Sequence, residues 1–144
     1  MRFQDFIDGQ KARKATPDLQ LSKSLIGMSD NHIEVIKKLE IDEITASTIM
    51  TTYYEALREI VEAIAAKRGY KIYSHDALTY FLKELGKDAI ADKFDRFRKI
   101  RNGINYYGKM IGQESAKSNT KEIENIIKEL KQKFLSDINK QEKS

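Results

Sequence analysis

The sequence predicts an all-α fold: an antiparallel four-helix up-and-down bundle with an additional N-terminal helix. Three observations carry that prediction. Apolar residues recur at three- and four-residue steps along most of the chain. Capping residues and glycines stand at the ends of those stretches. No stretch alternates apolar and polar residues for long enough to make a strand, and one proline and seven glycines supply few of the turns an all-β protein needs.

Thr16, Pro17 and Asp18 read as N-cap, first-turn proline and first-turn acid of a helix. Leu21, Leu25, Met28, Val35, Ile36 and Leu39 carry it to about Glu40, with a bend or break expected at Ser29-Asp30-Asn31. Asp42 caps the next helix, whose stripe is Ala46, Met50, Tyr53, Leu57, Ile60 and Ile64. Lys67 and Arg68 fill its last turn and Gly69 ends it. After a link from Tyr70 to Tyr73, Ser74 caps a short helix with Ala77, Leu78, Phe81, Leu82 and Leu85 inward, stopped by Gly86.

A further helix starts near Asp88 and turns Ile90, Phe94, Phe97, Ile100, Ile104 and Ile111 inward. Gly112 to Thr120 reads as a loop. The last helix, about Lys121 to Asn139, buries Ile123, Ile126, Ile127, Leu130, Phe134 and Ile138, and the KQEKS tail is expected to fray. The whole reads as one domain over 1–144, with a core from about 18 to 138.

The composition fits a globular chain: 144 residues, 40% hydrophobic and 33% charged. Without cysteine there are no disulfides, thiol nucleophiles or thiolate metal sites. No apolar run approaches the roughly 18 residues of a membrane span. MRFQDFIDGQ lacks the apolar stretch of a secretory signal, so a cytoplasmic location and no membrane partner are expected. A formal net charge of +4 is a mild basic bias, compatible with RNA contact or with an ordinary lysine-rich surface.

One segment departs from plain bundle patterning: Lys93 to Lys109, KFDRFRKIRNGINYYGK. On a helix, Arg101 falls at the edge of the apolar stripe, with Arg98, Asn102, Asn105 and Lys109 beside it on one polar strip. Arg101 offers a planar, permanently charged fork suited to phosphate. Gly103, in mid-helix, would admit a neighbouring backbone. The plainer account is a helix edge with ordinary salt bridges.

Other polar residues carry less. His75 at its helix start suits neutral capping or packing, and His32 stands isolated. Two distant histidines do not make a metal site, and there is no glycine loop for a nucleotide, so neither metal nor cofactor is expected. Tyr53 and Tyr54 divide between core and a dimer surface, and Tyr107 points away from Tyr106 into packing.

YYEALREIVEAIAAKRGYKIYSHDALTYFLKEL followed by FRKIRNGINYYGK resembles the HEPN family over roughly residues 42 to 111. The resemblance implies a helical bundle, usually homodimeric, with paired motif helices forming a cleft. It also implies metal-independent endoribonuclease activity, of toxin type in members paired with a small nucleotidyltransferase antitoxin. Arg101 and Asn102 match the Arg-Asn start of the family's motif, and the motif histidine falls on Tyr106.

Histidine moves protons near neutral pH, whereas a phenol with an ordinary pKa of about 10 is a poor substitute. Tyr106 can still donate a hydrogen bond to phosphate or stack on a base. Arg101 and Tyr106 lie about 140° apart on a regular helix, so a joint site calls for distortion near Gly103 or a second chain.

These readings make Arg101, Asn102 and Tyr106 the candidate catalytic residues, and Arg98, Arg101, Asn105 and Lys109 the candidate nucleic-acid contacts. Three functions compete. One is a HEPN-like endoribonuclease acting as a homodimer. The second is a non-catalytic HEPN-like module binding RNA, a nucleotide or a partner nucleotidyltransferase. The third is a structural helical dimer.

Overall fold

The computed structural model describes residues 1–138. Its elements in order are α1 (Phe3–Asp8), β1 (Ala12–Lys14), α2 (Leu19–Ile36), α3 (Ala46–Arg68), β2 (Tyr70–Ile72), α4 (His75–Glu84), α5 (Asp88–Tyr107) and α6 (Gln113–Phe134). The protein is predominantly helical, and β1 and β2 form one small antiparallel sheet with Ala12 opposite Ile72 and Lys14 opposite Tyr70.

Helix α3 is the axis of the molecule. Its alanines, Ala56, Ala63, Ala65 and Ala66, are buried together with Met50, Tyr53, Tyr54, Leu57, Ile60 and Ile64, so neighbours approach it on nearly every side. The small side chains make that close approach possible. Helix α2 runs antiparallel to it, because Ser22 Oγ donates to the Ala63 carbonyl and Ser29 Oγ to the Ala56 carbonyl, each at 2.8 Å. Helix α5 is also antiparallel, pairing Arg101 with Glu55, while the Ile111 amide just beyond it donates to Ser47 Oγ. Helix α6 runs parallel, Tyr53 bonding Glu124 near one end and Lys67 Nζ reaching the Phe134 carbonyl at the other.

Gly69 ends α3 in the left-handed region at φ +83°, as its position after Lys67 and Arg68 predicts. It has a second task. A Cβ there would lie 2.7 Å from the Ala15 carbonyl oxygen and 3.2 Å from Pro17 Cδ. The Ala15 amide bonds the Gly69 carbonyl at 2.8 Å, tying the N-terminal segment to the end of α3.

The sheet corrects the expectation of a strand-free chain. Each strand has three residues, too few for alternation to register, and their pairing is non-local. Residues before Asp18 also belong to the core, which therefore begins earlier than expected. Phe3 packs edge-on against Tyr70 and Phe81, and Phe6 lies against Tyr80.

Other boundaries shift for identifiable reasons. Asp18, rather than Thr16, caps α2, its side chain accepting from the Leu21 amide at 2.9 Å. Helix α2 passes residue 30 without a break, since Ser29 spends its hydroxyl on α3, and it ends at Ile36 rather than near Glu40. Its buried face is Ser22, Ile26, Ser29 and Ile36, whereas Leu21, Met28, Val35 and Leu39 are exposed. Asp42 accepts from the amides of Ile44 and Thr45, closing a turn just ahead of α3 rather than capping the helix itself.

Helix α5 stops at Gly108, in the left-handed region at φ +64°, so Ile111 lies beyond it and is only partly buried. Helix α6 begins at Gln113, and the expected loop to Thr120 is its first two turns, with Ala116 and Thr120 buried. The expected last helical residue, Asn139, and the tail after it lie outside the described residues. Among the described residues, no helix is long and apolar enough to cross a membrane.

Candidate functional site

Arg101 sits in the last two turns of α5, against the middle of α3. Its side chain is only 16% exposed. Nη1 donates to Asn102 Oδ1 at 3.1 Å and to the Tyr106 hydroxyl at 3.4 Å, and Nη2 lies 3.5 Å from Glu55 Oε1. The guanidinium also stacks between two rings, 5.6 Å from the Tyr54 centroid and 5.5 Å from that of Tyr106. Nε is buried without a hydrogen-bond partner among the described residues.

One chain therefore unites Arg101, Asn102 and Tyr106, correcting the expectation that a distorted helix or a second copy is needed. The angle between positions 101 and 106 fixes only where the Cα–Cβ bonds point. A long arginine and a tyrosine in the last turn both fold across the intervening residues. Gly103 admits no neighbouring backbone; only the Lys109 side chain lies above it, 3.6 Å from where a Cβ would stand.

A cavity of about 330 Å³ opens beside Arg101, lined by His32, Thr51, Thr52, Glu55 and Asn105 as well. His32 is the unexpected member. Far from isolated, its Nδ1 lies 2.7 Å from Oε1 of Glu59, a carboxylate on α3 that is fully buried. Glu55 is bonded by Arg58 at 2.7 Å, and Arg58 also holds Glu62, so the acids of α3 are largely neutralised within the helix.

Beneath the arginine, Tyr54 is fully buried and its hydroxyl bonds His75 Nδ1. Burial pushes the Tyr54 phenol well above its ordinary range, with the Arg101 charge opposing. The phenol is thus a donor, and Nδ1 of His75 accepts. Burial and then the charges of Arg101 and Arg58 push His75 below its usual pKa, leaving it neutral at physiological pH. His75 has the packing role its position predicts, immediately after Ser74, whose side chain accepts from the Ala77 amide.

The polar strip does not hold together as one surface. Asn105 lines the Arg101 cavity, and Lys109 is exposed at the end of α5. Arg98 faces elsewhere: it bonds Asp95 at 2.7 Å and Asp76 at 3.1 Å, clamping α4 to α5 beside a separate cavity that includes Phe6 and Tyr80. Two tyrosine assignments also change. Tyr53 and Tyr54 are both buried, leaving neither on an outer surface, and Tyr107 is 75% exposed rather than packed.

The sequence held a signal for His32 that the apolar stripe concealed. Ser22, Ile26, Ser29, Ile33 and Ile36 are spaced like a packing seam, and His32 follows Ser29 by three residues at its edge. Glu59 carried no comparable mark among its neighbouring acids.

Among the described residues, no group of three or more histidines and acids is placed to hold a metal ion. No protein-family model matches the chain, and no curated protein matches it in sequence.

Proposed function

We propose that the chain is a HEPN-like, RNA-directed protein and a metal-independent endoribonuclease, with Arg101 at the centre of its site. The observation that carries this reading is the setting of the Arg101 guanidinium, held between Asn102 and Tyr106 and stacked on Tyr54 at the edge of an open cavity. A guanidinium so restrained needs little reorganisation to meet a phosphate. Its fork matches two non-bridging oxygens, and it stabilises the charge that grows on them as the 2′-hydroxyl attacks phosphorus. Asn102 and Asn105 orient the phosphate, and the exposed Tyr106 ring offers a face on which a base can stack.

The homodimer belongs to the same reading through the family resemblance. Since a single chain brings the motif residues together, the second copy adds a cleft and is not required to complete the motif. A dimeric mass in solution is the expected result.

Purified wild-type protein and Arg101→Ala, incubated with varied RNAs in the presence of chelator, test the proposal. Wild type should cleave and Arg101→Ala should lose about 10²–10³-fold in rate, as for removal of one donor to a developing oxyanion. Equal cleavage by both proteins would refute it. One observation favours a second reading, a non-catalytic module for RNA, a nucleotide or a partner nucleotidyltransferase: a phenol stands where the resembled motif has a proton-transferring imidazole. RNA bound but never cut by wild type would establish that reading instead.

A further inference from the structure

The proposed reaction needs a group that takes a proton from the ribose 2′-hydroxyl near neutral pH. Within α5 the motif offers only Tyr106, and a phenol is a poor base near neutral pH. The cavity beside Arg101 has another candidate in its lining. His32 lines it from α2, with Asn105 and Arg101 contributed by α5 and Glu55, Thr51 and Thr52 by α3.

His32 is held as a base should be. Its side chain is 38% exposed, and Nδ1 contacts a Glu59 oxygen at 2.7 Å. Glu59 is 0% exposed, and its other carboxylate oxygen is buried with no hydrogen-bond partner among the described residues. An ionised carboxylate can only accept hydrogen bonds, so Nδ1 carries the proton toward Glu59, and in the neutral ring Nε2 keeps its lone pair. Burying a carboxylate whose one partner is a half-exposed histidine is costly for stability alone. The same arrangement fixes the tautomer, orients the ring and stabilises the imidazolium once it forms. Packing sets it up: side chains on antiparallel helices lean toward their own N-termini, so His32 and Glu59 reach toward each other across the seam tied by Ser29.

Resting on the ribonuclease reading above, we infer that His32 is the general base of this site and Glu59 its positioning residue. Nε2 takes the 2′-hydroxyl proton as O2′ bonds to phosphorus. The bond from phosphorus to the 5′-oxygen breaks, that oxygen takes a proton from solvent, and His32 later returns its own. The products are a 2′,3′-cyclic phosphate and a 5′-hydroxyl, with no metal and no water consumed. Arg101 holds the phosphate, and Tyr106 serves binding.

The full chain tests this through four proteins assayed with chelator for cleavage, product ends and RNA affinity: wild type, His32→Asn, Glu59→Gln and Tyr106→Phe. Asparagine keeps a donor for Glu59 while removing the base. His32→Asn should lose about 10²–10⁴-fold in rate, retain RNA affinity and lose the acid limb of the pH–rate profile. The charged groups around the imidazole are Glu59, bonded to it, and Glu55 and Arg101 across the cavity. Glu59→Gln removes the carboxylate that holds the ring, so kcat should fall while RNA affinity and the fold, read by circular dichroism, stay as in wild type, a split that a purely structural role would not produce. Tyr106→Phe, which deletes the hydroxyl that Arg101 donates to, should lower rate and RNA affinity together, as loss of a binding residue does.

Active wild type with unchanged His32→Asn activity would overturn the assignment and leave the ribonuclease reading standing. RNA binding without cleavage by wild type would overturn the base while keeping an RNA-binding protein. Neither binding nor cleavage would overturn both.

Discussion

Replacing Tyr54 by phenylalanine separates what supports the site from what acts in it. The substitution deletes a buried hydroxyl bonded to His75 Nδ1 and keeps the ring that lies under Arg101 and against Phe94. Loss of the hydrogen bond, with an acceptor left partly buried, should cost about 1–3 kcal/mol. At roughly 3 °C per kcal/mol for a chain of this size, the melting temperature should fall by about 3–9 °C.

The pH dependence should change as well. His75 is depressed in the folded protein, so the unfolded chain binds more protons below its ordinary pKa of about 6.5, and stability falls as pH drops from there toward the folded value. The Tyr54 hydroxyl stabilises the neutral imidazole. Without it the folded pKa should rise toward normal and the acid-side loss should shrink. Tyr54 itself is raised, so wild-type stability should decline as pH climbs past about 10, the unfolded phenol's pKa, and Tyr54→Phe should show a smaller decline, the share of the likewise raised Tyr53 remaining.

Thermal and urea unfolding of both proteins from pH 5 to 11, with RNA affinity at pH 7.5, make the assay. Affinity should be retained, because the stacking surface is intact. Equal stability and identical pH profiles would refute the buried donor–acceptor assignment.

Further outcomes follow from single positions. Gly69→Ala should destabilise the fold by at least about 1–2 kcal/mol from its left-handed backbone alone, with a clash at the Ala15 carbonyl added, measured by urea unfolding. Arg98→Ala should lower stability by about 1 kcal/mol, as for partly exposed ion pairs. Its RNA affinity and cleavage should match wild type, because its partners are Asp76 and Asp95 rather than the Arg101 cavity.

Helix content and the helix ends from Gly69 to Asp88 were legible because they depend on local chemistry. Gly69 and Gly86 adopt the left-handed backbone, and Ser74 caps α4 through its side chain. The failures came where tertiary partners override local preference. Ser22 and Ser29 look like poor helix-core residues, yet each finds a carbonyl of α3, and this turns α2 so that Leu21, Met28 and Val35 face outward. The strands were invisible because three-residue ladders are specified by their partner, and the early start of α6 was missed because its first two turns bury only Ala116 and Thr120.

The site divides along the same line. Arg101, Asn102 and Tyr106 are close in sequence, and their association could be anticipated from one helix. The half contributed by α2 and α3 could not, since His32 meets Glu59 only after two serines have set the register of the helices that carry them. That dependence has a mechanical consequence. The serine hydroxyls that seat α2 on α3 also place His32 against Glu59 in the lining of the Arg101 cavity. A change in this seam should therefore disturb the histidine before the arginine, which α5 and the Tyr54 ring hold independently. On the proposed reading, phosphate binding and proton transfer rest on different helix pairs, and either can be lost while the other survives.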